Sequence, residues 1–203
     1  IPCNVIADEI LTDHPDRYRA MIIESANPVH SLADSNRMRK ALRSMELVVA
    51  IDIAMTETAR EADYVLPAST QFEKWEATFF NFEFPENYFH LRKPLFEPLG
   101  ESLSEAEIHA RLVEAAGVMP TVLVDELRGL LKEEGRGAFR ERFMQAMAED
   151  VMVSKLAPVI LYRTLGEVLP EGAKEGAVMW PLTLGFAMRD SASLARAGYE
   201  GDP

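Results

Sequence analysis

Cysteine is nearly absent from this sequence. Cys3 is the only cysteine among 203 residues, so the chain can form no internal disulfide framework and cannot by itself ligate an iron–sulfur cluster. The four histidines are scattered without the spacing of a zinc site, and no metal ligand is predicted. Glycine-rich phosphate loops and the nucleophile-elbow motif are also missing. These absences argue against the common one-motif enzymes, and a reducing, cytoplasmic environment is the default expectation.

Positive charge is scarce as well. The chain has 21 Lys and Arg against 33 Asp and Glu, which gives a net charge of −12. Such a chain repels phosphate backbones and anionic lipids, so neither nucleic acid nor a membrane surface is an expected partner. No apolar run approaches the roughly 18 residues that a membrane-spanning helix requires. The start of the sequence lacks a secretory signal and an initiator methionine, which we interpret as a segment of a longer chain.

Hydrophobic patterning indicates a parallel sheet. The apolar, β-branched runs at 19–24 and 47–52 predict buried strands, and a third run predicts a strand that stops at Pro67. Between the first two lie a loop of small residues and a helix that begins at Asp34 or Ser35. Strands separated by short helices predict an open, doubly wound α/β fold with a parallel sheet.

The remainder of the chain changes character twice. Residues 71–98 are rich in aromatic side chains and predict an extended, packed excursion. Later residues predict a mainly helical portion with breaks at Gly135 to Gly137 and around Pro158. We therefore predict an α/β domain over 1–118 and a mainly helical extension over 119–203.

Four sequence pieces occur in order: a small-residue loop ending in Asn-Pro, a strand ending in Asp, the pattern T-x-T-A-x-x-A-D-x-x-L-P, and Glu-Lys. They lie in ESANPVHSLADSNRMRKAL, LVVAIDIAMTETAREADYVLPAST and FEKWEATFFNFE. On these motifs the chain resembles the molybdopterin oxidoreductase family, also called the dimethyl sulfoxide reductase family. The resemblance covers roughly half of the chain.

The resemblance implies a domain that cradles one guanine dinucleotide arm of a bis-molybdopterin guanine dinucleotide cofactor carrying Mo or W. The family's cofactor contacts, carried over by position, fall on Asn27, Ile51, Asp52, Lys74 and Glu105. Thr56 is added because it opens a short helix whose N-terminal amides would face the ligand. No catalytic residue is predicted, since the family's metal ligand and its 4Fe–4S cysteines lie upstream of this segment.

Each of these side chains has a structural alternative. Asp52 suits a guanine edge or ribose hydroxyls, but it could equally cap the turn after its strand. Asn27 lies in an ordinary Asn-Pro turn dipeptide, and Lys74 could be a solvated charge rather than a partner for pyrophosphate or pterin oxygens. Glu105 suits the first turn of a helix, and Thr56 suits an N-cap.

The sequence also departs from the family pattern. Ala77 replaces a usual glycine, and Phe84 and Pro85 stand where Gly-Arg is expected. This departure places in doubt any contact that the arginine normally makes.

The resemblance therefore implies a cofactor-binding segment that is incomplete as a catalyst by itself. Its expected partners are the remaining domains of the parent enzyme and an electron-transfer subunit. Two alternatives stay open: a non-catalytic structural or electron-transfer subunit related to the family, and an unrelated α/β nucleotide-binding domain.

Overall fold

Three short strands run parallel in the N-terminal half of the chain. They are paired in the order β1-β2-β3 and comprise β1 (Ala20–Glu24), β2 (Leu47–Asp52) and β3 (Tyr64–Pro67). The register sets Ile23 beside Ala50 and Ile51 beside Leu66. All three strands were predicted from their apolar runs, and the α/β fold class is confirmed.

The computed structural model describes residues 2–78, 90–170 and 173–198. Its contacts divide the chain into two compact units. Unit 1 comprises Ile1–Lys74 and Phe96–Ile108, and unit 2 comprises Trp75–Leu95 and His109–Pro203. The predicted domain boundary near residue 118 stays a prediction.

Helices precede, connect and follow the strands of unit 1. They are α1 (Ile6–Leu11), α2 (Pro28–Ser31) and α3 (Ser35–Arg43), while α4 (Glu105–Ala115) begins in unit 1. Asp34 caps α3, because its carboxylate accepts a hydrogen bond from the Arg37 backbone N–H at 3.0 Å. Of the two N-caps predicted from the sequence, the structure selects Asp34.

Helices cover both faces of the parallel sheet. Val48 on one face lies in a buried cluster with Ile10 of α1 and Leu42 of α3. Ile51, three residues along the same strand, packs instead with Ile108 of α4. Successive strand side chains point to opposite faces, so an odd spacing of three puts Val48 and Ile51 on different sides. The sheet is thus buried on both faces, as expected of a doubly wound arrangement.

Unit 2 is built mainly from helices. Its elements are β4 (Glu76–Thr78), β5 (His90–Arg92), α5 (Thr121–Glu133), α6 (Arg136–Glu149), α7 (Val151–Arg163), α8 (Trp180–Arg189) and α9 (Ser191–Arg196). Strands β4 and β5 pair antiparallel. In its core the rings of Phe139 and Phe143 stack with centroids 5.8 Å apart, and Trp180 packs against both.

The helix breaks are partly as predicted. A break does occur at Gly135, which has φ +87° and separates α5 from α6, whereas Gly137 lies inside α6. The break predicted around Pro158 is wrong, since Pro158 lies inside α7. Buried Val153, Ala157 and Ile160 hold that helix in place and offset the single backbone hydrogen bond that proline cannot donate.

The predicted aromatic excursion is described only at its ends, where β4 and β5 lie. Residues 79–89, including Phe84 and Pro85, fall outside the described residues. Within the described ranges, no helix combines the length and the apolar character needed to cross a bilayer.

Candidate functional site

The carboxyl ends of the three parallel strands border a groove of about 440 Å³ in unit 1. Parallel strands end at the same edge of a sheet, and this is the position where open α/β sheets bind ligands. The groove is lined by Ser25, Ala26, Asn27, Asp52, Ile53, Ser69, Thr70, Gln71, Phe72, Lys74 and Glu105. Four residues predicted from the sequence thus share one groove: Asn27, Asp52, Lys74 and Glu105.

The first residue of the loop after β1, Ser25, lines the groove and has a strained backbone conformation. Ser25 has φ +51°, in the left-handed region that is uncommon for residues other than glycine. Its backbone N–H donates to the Ile51 carbonyl at 3.0 Å, so the first residue after β1 is tied to the end of β2. Such strain occurs often at ligand sites, where the surrounding structure holds it.

Asn27 locks two loops together. Its Oδ1 accepts hydrogen bonds from the Thr58 hydroxyl at 2.8 Å and from the Thr58 backbone N–H at 3.2 Å. Its Nδ2 donates to Glu57 Oε2 at 2.7 Å. One amide hydrogen of Asn27 therefore has no partner among the described residues, and it remains for a ligand in the groove.

The hydrogen bond from Asn27 also affects the pKa of Glu57. The side-chain hydrogen bond from Asn27 is the main cause that lowers the pKa of the Glu57 carboxyl. A backbone hydrogen bond at Glu57 itself adds to the lowering of this pKa, as do His30 and Arg60 by charge. Glu57 therefore stays ionised next to the groove and keeps Asn27 oriented.

Asp52 ends β2, the middle strand of the sheet, and lines the groove. Its Oδ1 accepts a hydrogen bond from the Ala54 backbone N–H at 3.1 Å, and Oδ2 has no partner among the described residues. Asp52 therefore does cap the turn after its strand, yet this bond uses only part of its capacity. A carboxylate has about four acceptor positions, so both oxygens can still receive donors from a ligand.

Lys74 and Glu105 form an ion pair in the groove wall. Lys74 Nζ donates to both carboxylate oxygens of Glu105, and the two side chains are only 16% and 20% exposed. Glu105 is the first residue of α4, so the pair joins the chain after β3 to the start of that helix. The ammonium charge is matched within the chain itself.

The other two predicted residues lie behind the groove. Ile51 is fully buried in the sheet core, and only its carbonyl acts near the site, as acceptor for Ser25. Thr56 Oγ1 accepts a hydrogen bond from the Ala59 backbone N–H at 3.1 Å, at the start of the short helical turn Ala59–Glu61, whose N-cap position is Thr58. Neither side chain belongs to the groove lining.

Ser69 was missed by the sequence reasoning. It lines the groove, it is 1% exposed, and its hydroxyl has no hydrogen-bond partner within the described part of the chain. Its backbone is fixed, because its N–H donates to the Leu103 carbonyl at 2.8 Å and Leu103 donates to Pro67. The available signal was the run of small polar residues directly after the strand-ending proline.

A separate apolar cleft of about 290 Å³ lies in unit 2. Phe139, Leu165 and Trp180 contribute to its wall, and none of the predicted site residues does. The four predicted polar residues named above lie in the unit 1 groove and not in this cleft.

Comparison with known proteins identifies a family for this chain. Residues 10–115 match the family model of the molybdopterin oxidoreductases. This stretch contains the three strands and the groove, and it is more than half of the 203 residues.

Curated relatives agree with the family model. The chain is 32% identical to a probable oxidoreductase of Bacillus subtilis over 74% of this chain and 21% of the relative. It is 35% identical to a trimethylamine-N-oxide reductase of Vibrio parahaemolyticus over 51% of this chain and 12% of the relative. A thiosulfate reductase molybdopterin-containing subunit of Salmonella typhimurium is 30% identical over 56% of this chain and 15% of the relative.

The matches thus cover about a fifth or less of each relative's length. The family model and these relatives point to the same group of enzymes, and the groove lies within the matched residues. The chain belongs to the molybdopterin oxidoreductase family.

Proposed function

We propose that this chain binds one guanine dinucleotide arm of a bis-molybdopterin guanine dinucleotide cofactor, as a segment of a larger molybdenum or tungsten oxidoreductase. The family is one whose cofactor is a molybdopterin with Mo or W. The observation that carries the proposal is the single groove in which Asn27, Asp52 and Ser69 present unused hydrogen-bonding capacity.

The guanine base and its ribose suit this groove. Guanine offers adjacent N–H donors, which a carboxylate such as Asp52 can accept with both oxygens. The remaining amide hydrogen of Asn27 and the hydroxyl of Ser69 suit a base carbonyl or ribose hydroxyls. A volume of about 440 Å³ lies within the range of small-molecule sites.

The remaining predicted residues would act around this contact. Lys74 and Glu105 form one wall of the groove as an ion pair. Ile51 would hold the loops in position through its carbonyl and Thr56 through its side-chain hydrogen bond with Ala59, and a direct contact of either with the cofactor stays a prediction. Residues 1–118 are the proposed extent of the cradling domain.

This segment supplies binding and orientation, and we assign it no catalytic residue. When bound, the cofactor would supply two-electron or oxygen-atom transfer at its metal. The longer relatives support a parent enzyme in which other domains complete the site. We further propose that this parent carries a 4Fe–4S cluster upstream of the segment and works in the cytoplasm with an electron-transfer partner.

Direct binding of guanosine to the chain tests the proposal. When guanosine is added, the backbone amide chemical shifts of the groove residues should change. Adenosine should bind more weakly because it lacks the two adjacent donors. Asp52→Asn should weaken guanosine binding about tenfold or more, since it removes a charged bidentate acceptor. Asp13→Asn, which removes an exposed carboxylate that does not line the groove, is the matched control. Perturbations confined to other surfaces would contradict the assignment.

A further inference from the structure

Lys74 is the only cation in the described lining of the groove, and its charge is already paired. The lining contains two carboxylates, Asp52 and Glu105, against this one ammonium. Lys74 Nζ contacts both oxygens of Glu105, and the pair is largely shielded from solvent. The electric field of a matched pair decays faster with distance than that of a single charge. The Asp52 carboxylate is therefore the unmatched charge in the described lining, and the net charge of the groove is negative.

A cofactor arm of the proposed kind has two chemically different ends of its nucleotide part. The guanosine end is uncharged and rich in hydrogen-bond donors, whereas the diphosphate is anionic. Partly buried charges are screened less than exposed ones, so the Asp52 carboxylate would repel a diphosphate placed beside it. An unpaired ammonium at Lys74 would offset that repulsion. Glu105 neutralises the ammonium by pairing with it, so the repulsion is not offset.

We propose that Glu105 is a specificity-determining residue: by pairing with Lys74 it makes the groove select the uncharged nucleoside end of the cofactor arm and reject the diphosphate end. The inference rests on the proposed function, since it specifies which part of the ligand occupies the same groove. Glu105 acts through Lys74, so its role is electrostatic positioning rather than catalysis.

The alternative is that the ion pair has a purely structural role and ties the start of α4 to the chain after β3. A purely structural role predicts a change in stability and no change in the preference between ligands. The charge-selection role predicts a change in that preference, and this change must disappear when Lys74 is removed as well.

Competition between guanosine and inorganic pyrophosphate for the whole chain distinguishes the two roles. The unmodified chain should bind guanosine at least about tenfold more tightly than pyrophosphate. Glu105→Gln should shift the ratio of the two affinities toward pyrophosphate by about tenfold or more, and the gain should weaken as salt rises. Glu101→Gln, which removes an exposed carboxylate from the same segment, is the matched control and should leave the ratio unchanged.

The double variant Lys74→Gln with Glu105→Gln should lose the gain in pyrophosphate binding. Persistence of the gain in the double variant, or an unchanged ratio in Glu105→Gln, overturns the inference while leaving guanosine binding as evidence for the proposed function. Absence of guanosine binding in the unmodified chain overturns the proposed function itself. If Glu105→Gln does not fold, the ratio in the unmodified chain decides: equal or tighter binding of pyrophosphate contradicts charge selection.

Discussion

Ser69 differs from the other buried polar residues of the described chain. The hydroxyl of Thr58 donates to Asn27 and accepts from the Val29 N–H, and the hydroxyl of Thr164 donates to the Ile160 carbonyl. The hydroxyl of Ser69 makes no such bond. A buried hydroxyl without a partner costs about 1–3 kcal/mol, so its presence in the groove wall points to a bond made with a ligand.

Ser69→Ala should therefore separate stability from binding. Removing an unpaired buried hydroxyl should leave the free energy of unfolding unchanged or raise it by up to about 1 kcal/mol, while guanosine affinity falls. Urea denaturation and guanosine titration measure the two effects. Thr58→Val is the opposite control, because it breaks two buried hydrogen bonds and should lower stability by about 1–3 kcal/mol. A loss of stability in Ser69→Ala would argue that its hydroxyl is bonded within the chain.

At the scale of elements, side-chain hydrogen bonds join the loops that follow β1 and β2. Parallel pairing brings the strand ends together, but it does not fix the loops beyond them. Asn27 fixes them by bonding Glu57 and Thr58, which lie 30 and 31 residues away in sequence. The shape of the groove between the two loops therefore depends on these contacts.

The Asn27–Glu57 contact makes part of the stability depend on pH. The pKa of Glu57 is lowered on folding, so its contribution is fully present above the unfolded value of about 4.3 and is lost as pH falls through the lower folded value. Glu57→Gln should lower the free energy of unfolding at neutral pH, and the difference from the unmodified chain should shrink in acid. Denaturation midpoints at several pH values measure this.

Glu9→Gln controls for the loss of one exposed carboxylate in that comparison. A difference between Glu57→Gln and the unmodified chain that grows in acid, or that is the same at every pH, would contradict the assigned contact.

On the scale of the whole molecule, excess negative charge is the dominant electrostatic feature. The net charge of −12 is spread over 203 residues, and the described ion pairs are mostly exposed at one or both partners. Exposed pairs contribute little to stability, so we expect repulsion among the unmatched carboxylates to outweigh them.

Salt should therefore stabilise the chain. Raising NaCl from about 0.02 M to about 0.5 M shortens the screening length several-fold and should raise the melting temperature by a few degrees. Differential scanning calorimetry measures the change. A melting temperature that falls with salt would show that the ion pairs, rather than the net charge, dominate the electrostatic contribution.

The sequence by itself determined the family, the α/β class and the polar residues at the strand ends. These depend on local properties: apolar runs of strand length, the Asp34 cap, and short motifs that can be read without knowing their neighbours in space. Local reading failed at Pro158, because the burial of α7 outweighed the preference of proline for helix breaks.

Only the tertiary structure decided which of these polar groups are paired. It joined Lys74 to Glu105 across 31 residues and used most of the amide of Asn27 on Glu57 and Thr58. It gave the Ser69 hydroxyl no partner among the residues that it describes. Hydrogen bonds and ion pairs act over a few ångströms, so partners distant in sequence are chosen by how the strands and helices pack. The charge and the hydrogen-bonding capacity of the groove follow from that packing.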